Sequence, residues 1–102
     1  MNKSYKQFFY GKGVSRTSFG KKTMKWIPWT YIDTYNAKTG RFRSRRKFGK
    51  DGWAYKDMDT ADEAHKYDHI HDICKGNRLK ARKPNKREIN EFKKAKKKRR
   101  FL

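Results

Sequence analysis

The sequence predicts a small α+β domain, an antiparallel sheet of three to four strands with one or two helices and basic N- and C-terminal arms. Aromatic and β-branched residues alternate with polar residues between positions 29 and 59, as half-buried strands require. A chain of 102 residues has room for one core. Of its 16 aromatic residues, 13 fall between Tyr5 and Tyr55, so we expect that core in the first half of the chain.

The strand signals form a meander of three strands. Alternation over residues 29–35 ends at a stretch of turn composition, residues 36–40. A second alternating run covers 41–48, and the Asp51-Gly52 pair that follows it is typical of a hairpin. Residues 53–59 would be the returning strand.

The second strand is predicted to have one face made only of cations. By strict alternation that face holds four basic residues, Arg41, Arg43, Arg45 and Lys47. The opposite face would hold Phe42, Ser44, Arg46 and Phe48. We interpret the cationic face as a phosphate-binding surface, the alternative being an edge strand protected from aggregation by charge.

Residues 60–74 fit two structures with different chemical consequences. As a helix, Thr60 and Glu63 would form a capping box and Gly76 would end the helix, and periodicity alone favours this interpretation. His69 and His71 would then point about 200° apart. As a strand over 67–73, both imidazoles would lie on one face, where they could share a substrate.

The predicted organisation has three parts. A basic aromatic arm covers 1–25, the sheet core and its histidine segment cover 26–74, and a basic tail covers 75–102. In the tail, Asn85 and Glu88 indicate the start of a short helix running toward Arg99, with an apolar stripe too narrow to dock firmly by itself. We expect cations of the tail to bind nucleic acid together with the four cations of the second strand. These tail residues are Arg78, Arg82, Lys93, Lys97, Arg99 and Arg100.

Charge indicates the class of partner. The net charge is +20, with +13 in residues 1–50, −5 in 51–74 and +12 in 75–102. So large a charge destabilises a compact monomer unless a polyanion binds, which makes RNA the first candidate and DNA the second. No apolar run reaches the roughly 18 residues of a membrane span, and we see no signal peptide, so we expect a protein that acts in the cytoplasm without a membrane partner.

We predict no metal and no cofactor. The lone Cys74 excludes a thiolate zinc cluster. On a helix, His65 and His69 with Asp72 could hold zinc, but the His-Glu-x-x-His pattern is missing and acid-rich segments often match such spacings by accident.

Residues 42–73 resemble the barnase–EndoU–colicin–RelE-like nuclease group of polymorphic toxins and phage proteins. The resemblance rests on a basic run, 45–48, an Asp-Gly-x-Ala-Tyr-Lys-Asp-x-Asp run, 51–59, and the histidine-bearing segment 65–72. It implies a small antiparallel sheet that cleaves RNA without a metal, and leaves room for an inhibitor or immunity protein as a partner.

The resulting prediction is a metal-independent endoribonuclease, a toxin-like or phage-encoded hydrolase. RNA cleavage of this kind needs a base, an acid and a cation for the phosphorane charge. His69 and His71 are the predicted acid–base pair. The other candidates are Arg46 and Lys56 for charge stabilisation, Asp57 or Asp59 to orient an imidazole, and His65.

Two non-enzymatic alternatives remain open. Residues 58–64, after three strands, resemble the strand-to-helix junction of AP2-type DNA-binding domains, which implies a sheet that reads DNA through Arg41, Arg43 and Arg45. A basic protein that neutralises packaged nucleic acid or docks on ribosomes is the other alternative.

Overall fold

A computed structural model describes residues 5–10, 16–17, 24–36, 40–63 and 65–97. Its elements in chain order are β1 Tyr5–Tyr10, β2 Arg16–Thr17, β3 Tyr31–Asn36, β4 Phe42–Phe48, β5 Ala54–Asp59, β6 His69–Cys74, β7 Asn77–Arg82 and α1 Lys86–Lys96. The strands form one antiparallel sheet in the order β2-β1-β3-β4-β5-β6-β7. The α+β class is confirmed, but the predicted strand number is wrong, because β3 to β7 alone give five strands.

The predicted meander is confirmed as β3, β4 and β5. Its second turn depends on Gly52, which has φ +83° and lies so close to the preceding segment that a Cβ would stand 2.5 Å from the carbonyl oxygen of Trp26. The backbone N–H of Trp26 also donates to the Gly52 carbonyl at 2.8 Å. Glycine is therefore required here for both its conformation and its size.

The ambiguous segment 60–74 contains a strand and not a helix. β6 pairs with β5, with His71 opposite Asp57 and His69 opposite Asp59. Lys75 and Gly76 both have positive φ and join β6 to β7 in a two-residue turn, so Gly76 turns a hairpin and does not end a helix. The helix interpretation was wrong because pairing with β5 overrides a local 3.6-residue periodicity.

Helix α1 is confirmed, with Asn85 as its N-cap. The backbone N–H of Glu88 donates to the Asn85 side chain at 2.9 Å, and the Glu88 carboxylate accepts from the Asn85 N–H at 2.8 Å. The expectation of weak docking was wrong: Phe92 and Ala95 are 2% exposed and pack with four residues of the sheet, Tyr35, Phe42, Met58 and Ile70.

The register defines two faces of the sheet. The helix face carries α1 and, in one row across β3 to β6, Asp33, Arg45, Met58 and Ile70. The neighbouring row faces the other way and is named the histidine face: Ile32, Arg46, Asp57 and His71. A second apolar cluster of Ile32, Phe48, Ala54 and Ile73 lies at one end of that face.

The N-terminal arm is described only in part. β1 pairs with β3, and β2 pairs with β1, so these two stretches extend the sheet at the β3 edge. The rest of 1–23 lies outside the described residues, as do 98–102 with Arg99 and Arg100. Within the described ranges, no helix is both long and apolar enough to cross a bilayer.

Candidate active site

Three histidines converge on the histidine face. His69 and His71 are two positions apart on β6, so their side chains project from the same side of the strand, and His65 reaches them from the preceding loop. One ring nitrogen from each residue lies within 4.8 Å of the other two. The ring centroids are 4.3 Å apart for His65 and His69 and 5.1 Å apart for His69 and His71.

Two of the rings are held by backbone carbonyls. Nδ1 of His69 lies 3.0 Å from the Tyr67 carbonyl oxygen, and Nδ1 of His71 lies 2.7 Å from the Leu79 carbonyl oxygen. A carbonyl oxygen only accepts, so each Nδ1 is the donor and carries a proton. In the neutral ring, Nε2 then keeps its lone pair, which is the form needed to take a proton or bind a metal.

The loop that presents His65 is fixed by aspartate side chains. Asp62 accepts from the His65 backbone N–H at 2.8 Å, and its own N–H donates to the His65 carbonyl at 2.7 Å. Asp68 accepts from the Ala61 N–H at 3.1 Å and pairs with Lys96 of α1. These contacts hold the His65 ring against His69 while leaving about a third of its side chain exposed.

The exposure of the three imidazoles differs. His69 is 1% exposed and lies beneath His65, whereas His65 and His71 are both partly exposed. A substrate in solvent would therefore meet His65 and His71 first. The structure places the predicted pair, His69 and His71, side by side, and adds His65 as an accessible member.

Asp59 supplies a carboxylate behind the cluster. Its Oδ2 lies 3.8 Å from Nε2 of His69 and accepts from the Arg78 guanidinium at 2.5 Å. Its Oδ1 is buried and accepts no hydrogen bond from the described residues.

Arg78 is the cation that the fold brings to this face. Its Nε donates to Asp57 at 2.8 Å, and a second nitrogen donates to Asp59. Burial alone would lower the pKa of the Arg78 guanidinium, but the hydrogen bond to Asp57 and the charge of Asp59 outweigh it and raise that pKa. The sequence predicted Arg78 only as one of several nucleic-acid-binding cations. Its place beside Asp57 and Asp59 depends on the β6–β7 hairpin, which the sequence did not predict.

Arg46 and Asp57 form a buried pair beneath the cluster. Two guanidinium nitrogens donate to the two Asp57 oxygens, each at 2.7 Å, and the residues are 4% and 0% exposed. The Asp57 carboxylate therefore binds Arg46 on one side and Arg78 on the other. Arg46 was predicted to stabilise the charge on the phosphorane, yet its side chain is buried against Asp57, where it has a structural role in holding Asp57 and Arg78.

Lys56 is not part of the cluster. It lies on the helix face, where it pairs with Glu88 of α1 at 2.7 Å. The alternation of side chains along β5 could have shown this, because it places Asp57 and Asp59 on one face of the strand and Lys56 on the other.

The predicted cationic face of β4 is largely neutralised. Arg45 is 7% exposed and donates to Asp33 and to Glu91, and Lys47 donates to Glu91 at 3.0 Å. These groups lie between the sheet and α1. Arg41 is exposed, and the half-buried Arg43 donates to Thr60 at 3.3 Å.

The remaining described cations that were predicted to bind nucleic acid are either paired within the protein or exposed to solvent. Arg82 binds Asp72 and Glu88 through both sides of its guanidinium and connects β7 to α1. Lys93 and Lys97 are exposed on and just after α1, where a polyanion could reach them.

A cleft of about 540 Å³ opens at the end of the histidine face. Trp53 and Tyr55 line it and remain 43% and 37% exposed, and Ile73, two positions along β6 from His71, forms part of its wall. Lys25 lies 5.4 Å from the centre of the Trp53 ring. Exposed rings beside lysines can stack on nucleic-acid bases, and the sequence did not single out these two residues.

No family model, curated protein or solved structure matches this chain.

Proposed function

We propose that this protein is a metal-independent endoribonuclease whose histidine cluster performs acid–base catalysis. The observation that carries the proposal is that one ring nitrogen from each of three imidazoles lies within 4.8 Å of the other two, and that carbonyls hold Nδ1 of two of these rings. A base and an acid a few ångströms apart are what the transfer of a proton from the 2′-hydroxyl and to the leaving 5′-oxygen requires. The resemblance to the barnase–EndoU–colicin–RelE-like group supports the same chemistry.

The exposure pattern assigns roles within the cluster. His71 and His65 reach solvent, so they would contact the substrate and exchange the two protons. His69, which the sequence prediction paired with His71 as acid and base, is buried between His65 and Asp59. We therefore give its proton-transfer role to His65 and assign His69 as a positioning residue that keeps the accessible rings in place. Arg78 pairs with Asp59 but keeps 38% of its side chain exposed, unlike the buried Arg46, so we assign it to the charge that develops on phosphorus.

The reaction follows from these roles. One neutral imidazole takes the 2′-hydroxyl proton as the 2′-oxygen attacks phosphorus, and one protonated imidazole donates its proton as the bond to the 5′-oxygen breaks. The products are a 2′,3′-cyclic phosphate and a free 5′-hydroxyl. The mechanism requires a 2′-hydroxyl, so a DNA strand of the same sequence should bind and remain intact.

The test is cleavage of a 5′-labelled single-stranded RNA in excess chelator, with products separated on a denaturing gel. We expect the parent to cut RNA and not the DNA of the same sequence. His71→Ala should lower the rate at least about 100-fold, as loss of a general acid or base does. His65→Ala, at a partly exposed position in the loop, should do the same with little effect on folding.

The control is Lys80→Ala, which removes one exposed cation from β7 and should retain cleavage. RNA that stays intact with the parent while still being bound would contradict the proposal and support a nucleic-acid-binding module. That alternative is favoured by the net charge of +20. Its AP2-like form is not supported, because the expected strand-to-helix junction is absent from the described residues, and β5 is followed by β6.

A further inference from the structure

The histidine cluster has the donor set of a zinc site. Three imidazoles are the protein ligands of one well-known class of zinc centre, with Zn–N bonds of about 2.0–2.1 Å and neighbouring donors about 3.3 Å apart in tetrahedral geometry. In the structure, the three nitrogens of His65, His69 and His71 lie within 4.8 Å. Separations of up to 4.8 Å would have to close by at most about 1.5 Å to reach this spacing, and rotation of the partly exposed His65 side chain can supply that movement while the loop backbone stays in place.

The groups around the rings also suit a metal. A zinc-bound histidine usually donates its other ring N–H to a carbonyl or carboxylate, which fixes the tautomer. His69 and His71 already make such bonds, to the carbonyl oxygens of Tyr67 and Leu79. The rings are thus held with Nδ1 protonated before any ligand binds.

A second observation is the state of Asp59. Its Oδ1 is buried without a hydrogen bond from the described residues, although its Oδ2 lies 3.8 Å from Nε2 of His69. A buried carboxylate oxygen without a donor is costly, and the positive charge of a cation bound to the nearby His69 would offset part of that cost. Asp62, with Oδ1 3.8 Å from Nδ1 of His65, adds negative charge at the other side.

This donor set differs from the one that the sequence suggested. On a helix, His65 and His69 would have been joined by Asp72. In the structure Asp72 lies on the helix face and binds Arg82, and His71 takes its place in the cluster. The donor set observed with the strand therefore contains three imidazoles, in place of the two imidazoles and one carboxylate expected on a helix.

We propose that His65, His69 and His71 bind one zinc ion per chain and that zinc binding switches off RNA cleavage. The inhibitory half rests on the proposed function. An imidazole whose lone pair is bound to zinc cannot accept the 2′-hydroxyl proton, and it cannot carry a proton to the leaving oxygen on that nitrogen. The free protein would be the active form, and zinc would hold it inactive.

Binding is tested first on the protein alone, without RNA. Chelator-treated protein is titrated with zinc by calorimetry, and cobalt(II) serves as a spectroscopic probe of tetrahedral nitrogen coordination. We expect one zinc per chain and no saturable heat with magnesium. Each of His65→Ala and His71→Ala should weaken zinc binding at least about 100-fold, because losing a group that merely orients a ligand already costs about 10- to 100-fold.

The matched control is Cys74→Ser, which removes the exposed thiol and should leave zinc affinity unchanged. Zinc binding that is lost in this variant, or that survives in both histidine variants, would overturn the site. His65 is a loop residue with a third of its side chain exposed, so its variant keeps the result interpretable even if His71→Ala does not fold.

Inhibition is tested by adding one equivalent of zinc to metal-free protein in a cleavage assay that contains no chelator, and then removing the zinc with an excess of chelator. Loss and recovery of cleavage support the proposal, and stimulation by zinc overturns both the inhibition and the metal independence of the enzyme. Zinc binding by a protein that never cuts RNA would keep the site and overturn the ribonuclease. Cleavage by a protein that binds no zinc would overturn only the zinc proposal.

Discussion

At the scale of single residues, the main feature is that most buried charges on the sheet are shared between several partners. Asp57, with no exposed surface, accepts from two guanidiniums, and Asp59 accepts from the second of these. Networks of ion pairs of this kind provide partners for charged groups that would be costly to bury alone. They also fix Arg78 against Asp59, whose carboxylate lies 3.8 Å from His69, so the packing of the sheet and the charge near the histidines depend on the same side chains.

We expect Arg46→Met to lower the free energy of unfolding by about 3 kcal/mol. The change leaves the buried Asp57 carboxylate with Arg78 as its remaining guanidinium, and removing one partner of a buried ion pair typically costs about 3–5 kcal/mol. Urea unfolding measures the loss. The control, Arg87→Ala, removes an exposed arginine of α1 and should change stability by less than about 0.5 kcal/mol. Equal stability of the two variants would contradict a structural role for Arg46.

At the scale of elements, the sequence correctly predicts those strands whose own residue pattern identifies them without reference to a neighbouring strand. β3, β4 and β5 combine alternation with turn residues, and α1 has a capping box, so each was found. β6 fits both a strand and a helix, because its apolar residues are three apart and its histidines two apart, and only pairing with β5 decides. The sequence did not predict β7, because a single large apolar residue, Leu79, does not mark a strand. In the structure Leu79 is half exposed.

The turns between these elements give a graded prediction. Gly52→Ala should destabilise most, by more than about 2 kcal/mol, because its Cβ would meet the Trp26 carbonyl and its φ is positive. Gly76→Ala has the same φ but open space, so only the conformational cost of about 1–2 kcal/mol applies. Gly49→Ala, with no contact under 3.5 Å and no positive φ, is the control. Thermal unfolding of the three variants gives the order, and a Gly49 effect as large as that of Gly52 would show that the turn is wrongly described.

At the scale of the whole molecule, the two faces of the sheet differ in how their charged groups are paired. The helix face uses its cations internally: Arg45, Lys56 and Arg82 all bind carboxylates of α1. The histidine face carries the three clustered imidazoles, with the structural Arg46–Asp57 pair buried beneath them. The sequence could place the histidines together on a strand, but it could not show which cations α1 would neutralise, since those pairs join residues far apart in the chain.

This arrangement makes the stability of the whole fold sensitive to acid. The hydrogen bond from Arg82, assisted by Lys56, lowers the pKa of Glu88 from 4.5 to about 2, despite burial that acts in the opposite direction. Hydrogen bonds from Arg45 and Lys47 likewise outweigh burial and lower the pKa of Glu91. Since the unfolded chain binds these protons at higher pH than the folded chain, stability is complete above about pH 5 and falls as the pH approaches 2.

We therefore expect Glu88→Gln to flatten this dependence. At neutral pH the variant should be less stable than the parent, because Arg82 and Lys56 lose a charged partner, and the difference should shrink on acidification as the parent carboxylate becomes protonated. The contribution at stake is on the order of 3 kcal/mol. Urea unfolding between pH 7 and pH 3 measures it, with Glu63→Gln, an exposed loop carboxylate, as the control that should follow the parent. If Glu88→Gln and the parent lose stability in parallel over that range, α1 is not held to the sheet by this ion pair, and the acid sensitivity must come from other carboxylates.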